Sequence, residues 1–454
     1  MAPTLRSFSA EFEPLGLVAR FPERYPGILQ SGEVAAGPRA KSRFDILPIS
    51  NGEVLAYGAP PRDPAPRGTA GKGFLDGFER WWRELQTARG ALDAPLPFAG
   101  GWLVYLGYEL AGEIEPRLRL PPAADAPSGL AIRTPAAWVR DCATRRAWLV
   151  AEIGAEALLD RFEADAAGRG EFSRAPAAAI VVREEPAEQF LQAVRRALEY
   201  TAAGEVYQTN LSRRWWGESA AWIDPVALYR RLCAANPSPF AALLRHGDFA
   251  VVSSSPERLL AIRGDLAETR PIAGTRPRGA SPGEDAALIR SLLASEKERA
   301  EHVMLIDLER NDLGRVCRGG TVRVDEYMSV ESYAHVHHIV SNVSGRLRED
   351  LSPIDAVRAV FPGGTITGCP KIRCMQIIAE LEGTGRGAYT GSIGYVNRDG
   401  SCDFNILIRT ITASGPRIEL RAGAGIVADS NPLQELAETR AKAEGLLRAL
   451  QDCP

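Results

Sequence analysis

Two pairs of acids stand out by their spacing. Glu298 and Glu301 lie three apart in SEKERAEHVM, and Glu435 and Glu438 repeat that interval in LQELAETRAKA. Residues three apart share one face of a helix. Carboxylates at the ends of two different helices suit a hard divalent cation. Mg2+ prefers oxygen ligands, takes one or two protein carboxylates, and fills its shell with water and substrate oxygens. The alternative is a pair of solvated faces, their acids paired with Lys297, Arg299 or Arg440. Spacing alone leaves both open.

Three small-residue stretches could receive an anion. PIAGTRPRG (Pro271–Gly279) reads as a rigid, basic, turn-rich loop whose central Ala273 carries no chemistry. FPGGTITGCPKIRCMQII places glycines ahead of a helix start, with Thr365 and Thr367 as hydroxyl donors. Free amides and the helix dipole favour an anion there. RAGAGIVADS offers a second turn whose amides can approach a ligand closely. None matches GxxxxGK[ST] or GxGxxG, which disfavours nucleotide binding. Arg409, in NILIRTIT, reads as a strand residue among apolar neighbours. A buried guanidinium needs a partner, and a carboxylate fits its fork. His335, His337 and His338 crowd into AHVHHIVSNVSG. No carboxylate or Cys stands at zinc spacing, so one buried histidine acting as a proton donor is the better reading.

The elements that must position these groups change texture along the chain. The first third is Pro-rich, with short strand-like runs at SRFDILPI and GWLVYLGYEL. Residues 154–173 read as a polar helix, and Gly168–Ala179 reads as a linker. From about Glu184 the elements lengthen: a helix ending at Gly204 and then a strand, and one long amphipathic helix from PGEDAALIR through LERNDLGRV. GAYTGSIGY through AGIVADS reads as a three-stranded meander, and NPLQELAETRAKAEGLLRAL as a closing helix capped by Asn431 or Ser430.

At 454 residues the chain exceeds one ordinary core, so two domains or subdomains are expected, 1–175 and 184–450. The formal charge of −3 gives no domain-wide basic surface for nucleic acid. The apolar runs are far shorter than a membrane span. MAPTLRSFSAEFEPLG lacks the apolar core of a signal peptide, and the expectation is a cytoplasmic protein. The seven cysteines form no CxxC pair and read as plain thiols.

GEVYQTNLS, SSSPERLL, RPIAGTRPRG, KERAEHVMLIDLERNDLGRV, HHIVSNVSG, FPGGTITGCPKIRCMQII, GSIGY, IRT and GAGIVADS occur in this order between about Glu185 and Leu450. The series closely resembles the chorismate-utilising enzymes, which include the large subunits of anthranilate and aminodeoxychorismate synthases, isochorismate synthase and salicylate synthase. The resemblance implies an α/β (α+β) fold like that of anthranilate synthase component I. Two large, mostly antiparallel β-sheets would face each other with helices outside, the N-terminal segment completing the sheets. It implies that Glu301 and Glu435 hold Mg2+ with Glu298 and Glu438 beside it. Arg409, Lys442 and the amides near Gly423 and Gly425 would bind the substrate's carboxylates. Thr365 and Tyr389 would line the ring, and His338 would assist proton transfer as the C4 hydroxyl leaves. Glu257 would stand near that hydroxyl. Ala273 and Gly274 would border the substrate, with Gln208 and Thr275 in the catalytic set.

Within the family, water-using members resemble one another in a lysine base where this chain has Gln208. A neutral amide cannot deprotonate water, so ammonia is the expected nucleophile. Ala273 resembles the anthranilate synthase loop, where many aminodeoxychorismate synthases have a lysine. FPGGTITG, GSIGY, His337–His338 and SRFDIL resemble the aminodeoxychorismate group, and ILQSGE (Ile28–Glu33) departs from the LLES motif that serves tryptophan feedback. The expected reaction is amination of chorismate to 4-amino-4-deoxychorismate, for 4-aminobenzoate and folate synthesis. Anthranilate formation is the alternative. No Cys-His glutaminase segment is recognisable, so ammonia would come from a separate glutaminase subunit or from solution.

Overall fold

The computed structural model describes residues 3–31, 43–58, 73–89, 96–123, 126–168, 180–333 and 336–451. Two antiparallel sheets, of 12 and 10 strands, lie face to face. The strand Phe249–Ser255 shows how they share the chain. Its Val252 packs under the helices Pro225–Ala235 and Pro432–Leu450, while its neighbour Val251 meets Leu103 and Ile393 of the other sheet. Side chains alternate across a strand, and both faces of this one are buried, apolar from Phe249 to Val252 and serine from Ser253 to Ser255. A second helical layer covers the far face of the 10-stranded sheet. Phe74, Phe78 and Trp82 of helix Phe74–Leu85 repeat every fourth residue and pack with Ile306, Val357 and Phe404. Each such ring contributes about 2 kcal/mol by leaving water. The layers therefore run helix, sheet, sheet, helix.

The N-terminal strands extend both sheets. Gly27–Gln30, Phe44–Ile49 and Ala136–Asp141 join the larger one; Gly101–Leu106 and Gly129–Thr134 join the smaller. Most of the expected linker at 168–179 lies outside the described residues. No helix among the described residues is long and apolar enough to cross a membrane. Six of the cysteines are described, and all six are free thiols.

Three local expectations need correction. The long helix is two helices, Pro282–Ala294 and Glu296–Gly314, broken at Ser295. Ser295 has extended backbone and its hydroxyl accepts from Glu298 N, so it acts as a cap inside the apolar pattern. The meander is two hairpins in different sheets. Ser392–Asn397 and Cys402–Asn405 belong to the smaller sheet, Thr410–Ser414 and Arg417–Ile426 to the larger. Most of PIAGTRPRG is a strand, Ile272–Pro277, at the edge of the smaller sheet against Val336–Arg346. An edge tolerates its proline. Gly274, at φ 61°, makes the irregularity between Ala273 and Thr275.

Candidate active site

The acids come from helices Glu296–Gly314 and Pro432–Leu450, the latter capped by Asn431, which accepts from Leu433 N and Gln434 N. Their partners divide them. Glu298 is paired with Arg276 at 3.1 Å, and Glu438 with Lys442 at 2.7 Å. Glu301 and Glu435 form no ion pair among the described residues. Burial pushes both carboxyls up; Glu298 adds to the shift at Glu301, and Glu438 to that at Glu435. Both sense Lys297 and Lys442, so they share one electrostatic neighbourhood. Among the described residues no three His, Cys, Asp or Glu side chains cluster closely enough to hold a metal ion. Two hard-oxygen acids with no cationic partner fit Mg2+, which completes its shell with water and substrate.

Gln208 opens the strand Gln208–Ser219 and is almost fully buried. Its Nε2 donates to Glu301 Oε1 at 2.9 Å, and its Oε1 has no partner among the described residues. Gly423 and Gly425 lie in the strand Arg417–Ile426 opposite Ser212 and Asn210, not in the expected turn. A Cβ on residue 423 would stand 2.6 Å from Tyr389 Oη. The Gly423 carbonyl accepts from Lys442 Nζ at 2.9 Å.

Glu257 and His338 have opposite protonation. Glu257 is buried, its Oε1 lacks a partner, and burial pushes its pKa up to about 8. The nearby Thr365 hydroxyl opposes this shift without reaching hydrogen-bond geometry, and the carboxyl of Glu309 reinforces it. His338 is pushed down to about 4, again chiefly by burial. Its Nδ1 lies 3.0 Å from Thr275 Oγ1 and 3.3 Å from the Gly274 carbonyl. A carbonyl only accepts, so the assigned tautomer carries its proton on Nδ1 and leaves Nε2 as the acceptor. At neutral pH Glu257 carries a proton and His338 is neutral, so Glu257 rather than the histidine is the available donor, the reverse of the expected histidine donor.

Arg409 sits where the chain crosses between the sheets, outside any strand, at φ 53°. Its Nη1 donates to Asn236 Oδ1 at 3.0 Å, and among the described residues it forms no ion pair. The protein carboxylate that would suit it is not found among the described residues. Arg409 also lowers the His338 pKa, so the two share the site. Asn236, in the loop after helix Pro225–Ala235, was not visible as a site residue in the sequence.

Several candidates have structural employment instead. Arg276 and Arg278 are not free for an anion: Arg276 holds Glu298, and Arg278 holds Asp285 at 2.7 Å. His337 links Ser332 Oγ, 2.7 Å from Nδ1, to Asp285 Oδ1, 2.8 Å from Nε2, and so pins helix Pro282–Ala294 to the strand. His335 lies outside the described residues. Thr367 is buried and donates to the Gly363 carbonyl at 2.9 Å, whereas the Thr365 hydroxyl has no partner among the described residues. Ala273 is buried opposite Ile339. A cavity of about 800 Å³ between the sheets is lined by Leu29, Gln30 and Ser31 of ILQSGE, but by none of the acids or loops above.

Residues 67–448 match the chorismate binding enzymes, and the chain belongs to that family. It is 44% identical over 364 residues to an anthranilate synthase component I-like protein of Synechocystis sp., covering 78% of this chain and 74% of that one. It is 52% identical over 262 residues to aminodeoxychorismate synthase component 1 of Bacillus subtilis, covering 58% of this chain and 55% of the relative. The structure of anthranilate synthase component I from Streptococcus pneumoniae superposes with a TM-score of 0.79 at 30% identity, over 89% of this chain and 92% of that one.

Proposed function

We propose that this protein aminates chorismate with ammonia to 4-amino-4-deoxychorismate, working beside a separate glutaminase subunit. The observation that carries the reading is Gln208. Its amide donates to Glu301 and leaves Oε1 as an unpartnered neutral acceptor. It can hold an N–H but cannot ionise water, which favours ammonia as nucleophile.

In this reading Glu301 and Glu435 hold Mg2+, with Glu298 and Glu438 beside them. Bound there, the ion supplies Lewis acidity at the ring carboxylate. Arg409 takes the enolpyruvyl carboxylate, and Lys442 adds positive charge on the opposite helix. Glu257 gives its proton to the departing C4 hydroxyl, which leaves as water. Ammonia adds at C2 as that bond breaks, giving a C2 ammonium; a second ammonia then adds at C4 as the first departs from C2 as neutral ammonia. His338 accepts through Nε2 the proton that the new C4 ammonium gives up. Thr365 and Tyr389 border the ring.

Ala273 favours a second reading, anthranilate synthesis, because the buried methyl supplies no amine for a covalent intermediate. Product analysis separates the two. Purified protein receives chorismate, Mg2+ and an ammonium salt. A product that a 4-amino-4-deoxychorismate lyase converts to 4-aminobenzoate supports the proposal. Accumulation of anthranilate overturns it, and isochorismate would show that Gln208 does not select against water.

A further inference from the structure

Arg386 lies behind the proposed ring pocket, buried, and is not among the residues so far given a role. Its five N–H groups are all used. Nε and Nη2 donate to the two oxygens of Glu382 at 3.0 and 2.6 Å. Nη1 donates to the Ile366 carbonyl and to Thr390 Oγ1, both at 3.2 Å. Nη2 also donates to the Asn210 carbonyl at 2.8 Å. The guanidinium lies 4.9 Å from the ring centre of Tyr108 and 5.4 Å from that of Tyr389.

The acceptors belong to three separate segments. Asn210 lies two residues from Gln208, Ile366 next to Thr365, and Thr390 next to Tyr389. Thr390 is held at φ 62°, a left-handed backbone state that non-glycine residues seldom adopt. The Arg386 bond to its hydroxyl and its own amide bond to the Leu407 carbonyl fix that geometry. Glu382 in turn accepts from Ser212 N and Oγ and pairs with Arg421. We infer that Arg386 is a positioning residue for the reaction: one planar cation sets the relative places of Gln208, Thr365 and Tyr389. The inference rests on the proposed pocket but not on which ring carbon is aminated.

Lysine has a point charge and cannot reach three carbonyl and hydroxyl acceptors from one plane. Two variants carry the test. Arg386→Lys keeps the charge beside Glu382. The double variant Glu382→Gln/Arg386→Met removes the buried charges together and leaves Arg421 with Glu419, 3.3 Å away. Chorismate consumption with ammonium is followed whatever the product, together with Tm and calorimetric chorismate affinity. The expected result is a kcat at least about 30-fold lower, with KM and affinity changed less than about threefold, because bound substrate is misaligned rather than lost. At least one variant should keep a cooperative melting transition. A folded variant of either kind with wild-type kcat overturns the inference, as does a kcat loss that only tracks the fraction unfolded. Wild-type protein that consumes chorismate without forming the 4-amino product defeats the amination reading and leaves this one standing.

Discussion

Gly425 faces Gln208 so closely that a Cβ on residue 425 would stand 2.4 Å from Gln208 Nε2. The amide that donates to Glu301 therefore depends on the absence of a side chain across the ladder. In Gly425→Ala the Gln208 side chain, being flexible, swings away while the strand stays paired. The expected outcome is a kcat/KM reduced tenfold or more with little change in Tm. Steady-state kinetics and a thermal melt check it; wild-type kcat/KM would show that the Gln208 position is immaterial.

The protonation of Glu257 sets a pH window. In the native state the carboxyl keeps its proton up to about pH 8, whereas its ordinary value is 4.5. Between those values the native state binds one proton more than the unfolded chain, so stability falls as pH rises. Below about pH 4.5 both states are protonated and the cost vanishes. Glu257→Gln should thus gain on the order of 5 kcal/mol over the wild type at pH 9, and the difference should close by pH 4. Denaturant titrations at the two pH values measure it. In the wild type kcat/KM should decline above about pH 8, as the proposed donor ionises.

The acids should differ in their effect on metal dependence. Glu301→Gln removes an acid without a cationic partner, whereas Glu298→Gln frees Arg276 in the same place. Glu301→Gln is expected to weaken Mg2+-dependent chorismate binding at least about tenfold, through loss of a charged oxygen ligand. Calorimetry across a Mg2+ series is the check. Unchanged Mg2+ dependence would remove Glu301 from the proposed metal set.

Ala273→Lys tests whether the edge strand can carry an amine. The variant should still bind chorismate, and mass spectrometry of quenched reactions should reveal a covalent adduct at residue 273. Loss of chorismate binding would mean instead that the strand packs too tightly for a longer side chain.

Ser295→Ala deletes the cap that starts helix Glu296–Gly314. A loss of about 1 kcal/mol is expected by chemical denaturation. Because Glu298 and Glu301 sit in the first two turns, Mg2+ dependence should weaken as well.

The sequence was most legible where chemistry and periodicity coincide. The acids at interval three did lie on helices, and Asn431 did cap the last one. It was least legible where long-range pairing overrides local signals. Proline and glycine in PIAGTRPRG announce a turn, yet an edge strand accommodates both once Val336–Arg346 lies alongside. Ser295 hides inside a continuous apolar pattern because a cap changes the backbone, not the period. Arg409 looks like a strand residue because its neighbours are apolar, but the segment 406–409 bridges strand Cys402–Asn405 of one sheet and strand Thr410–Ser414 of the other. Arg386 offered no local signal at all: its acceptors lie near positions 210, 366, 382 and 390, and only the fold brings them together.

Glu301 and Glu435 are separated by more than a quarter of the chain, and the second sits in the helix Pro432–Leu450. Lys442 ties that helix to strand Arg417–Ile426 through the Gly423 carbonyl, whereas Glu301 is held by Gln208 on the neighbouring strand. Any loosening of helix Pro432–Leu450 would thus part the two proposed metal acids while leaving Glu301 and Gln208 joined.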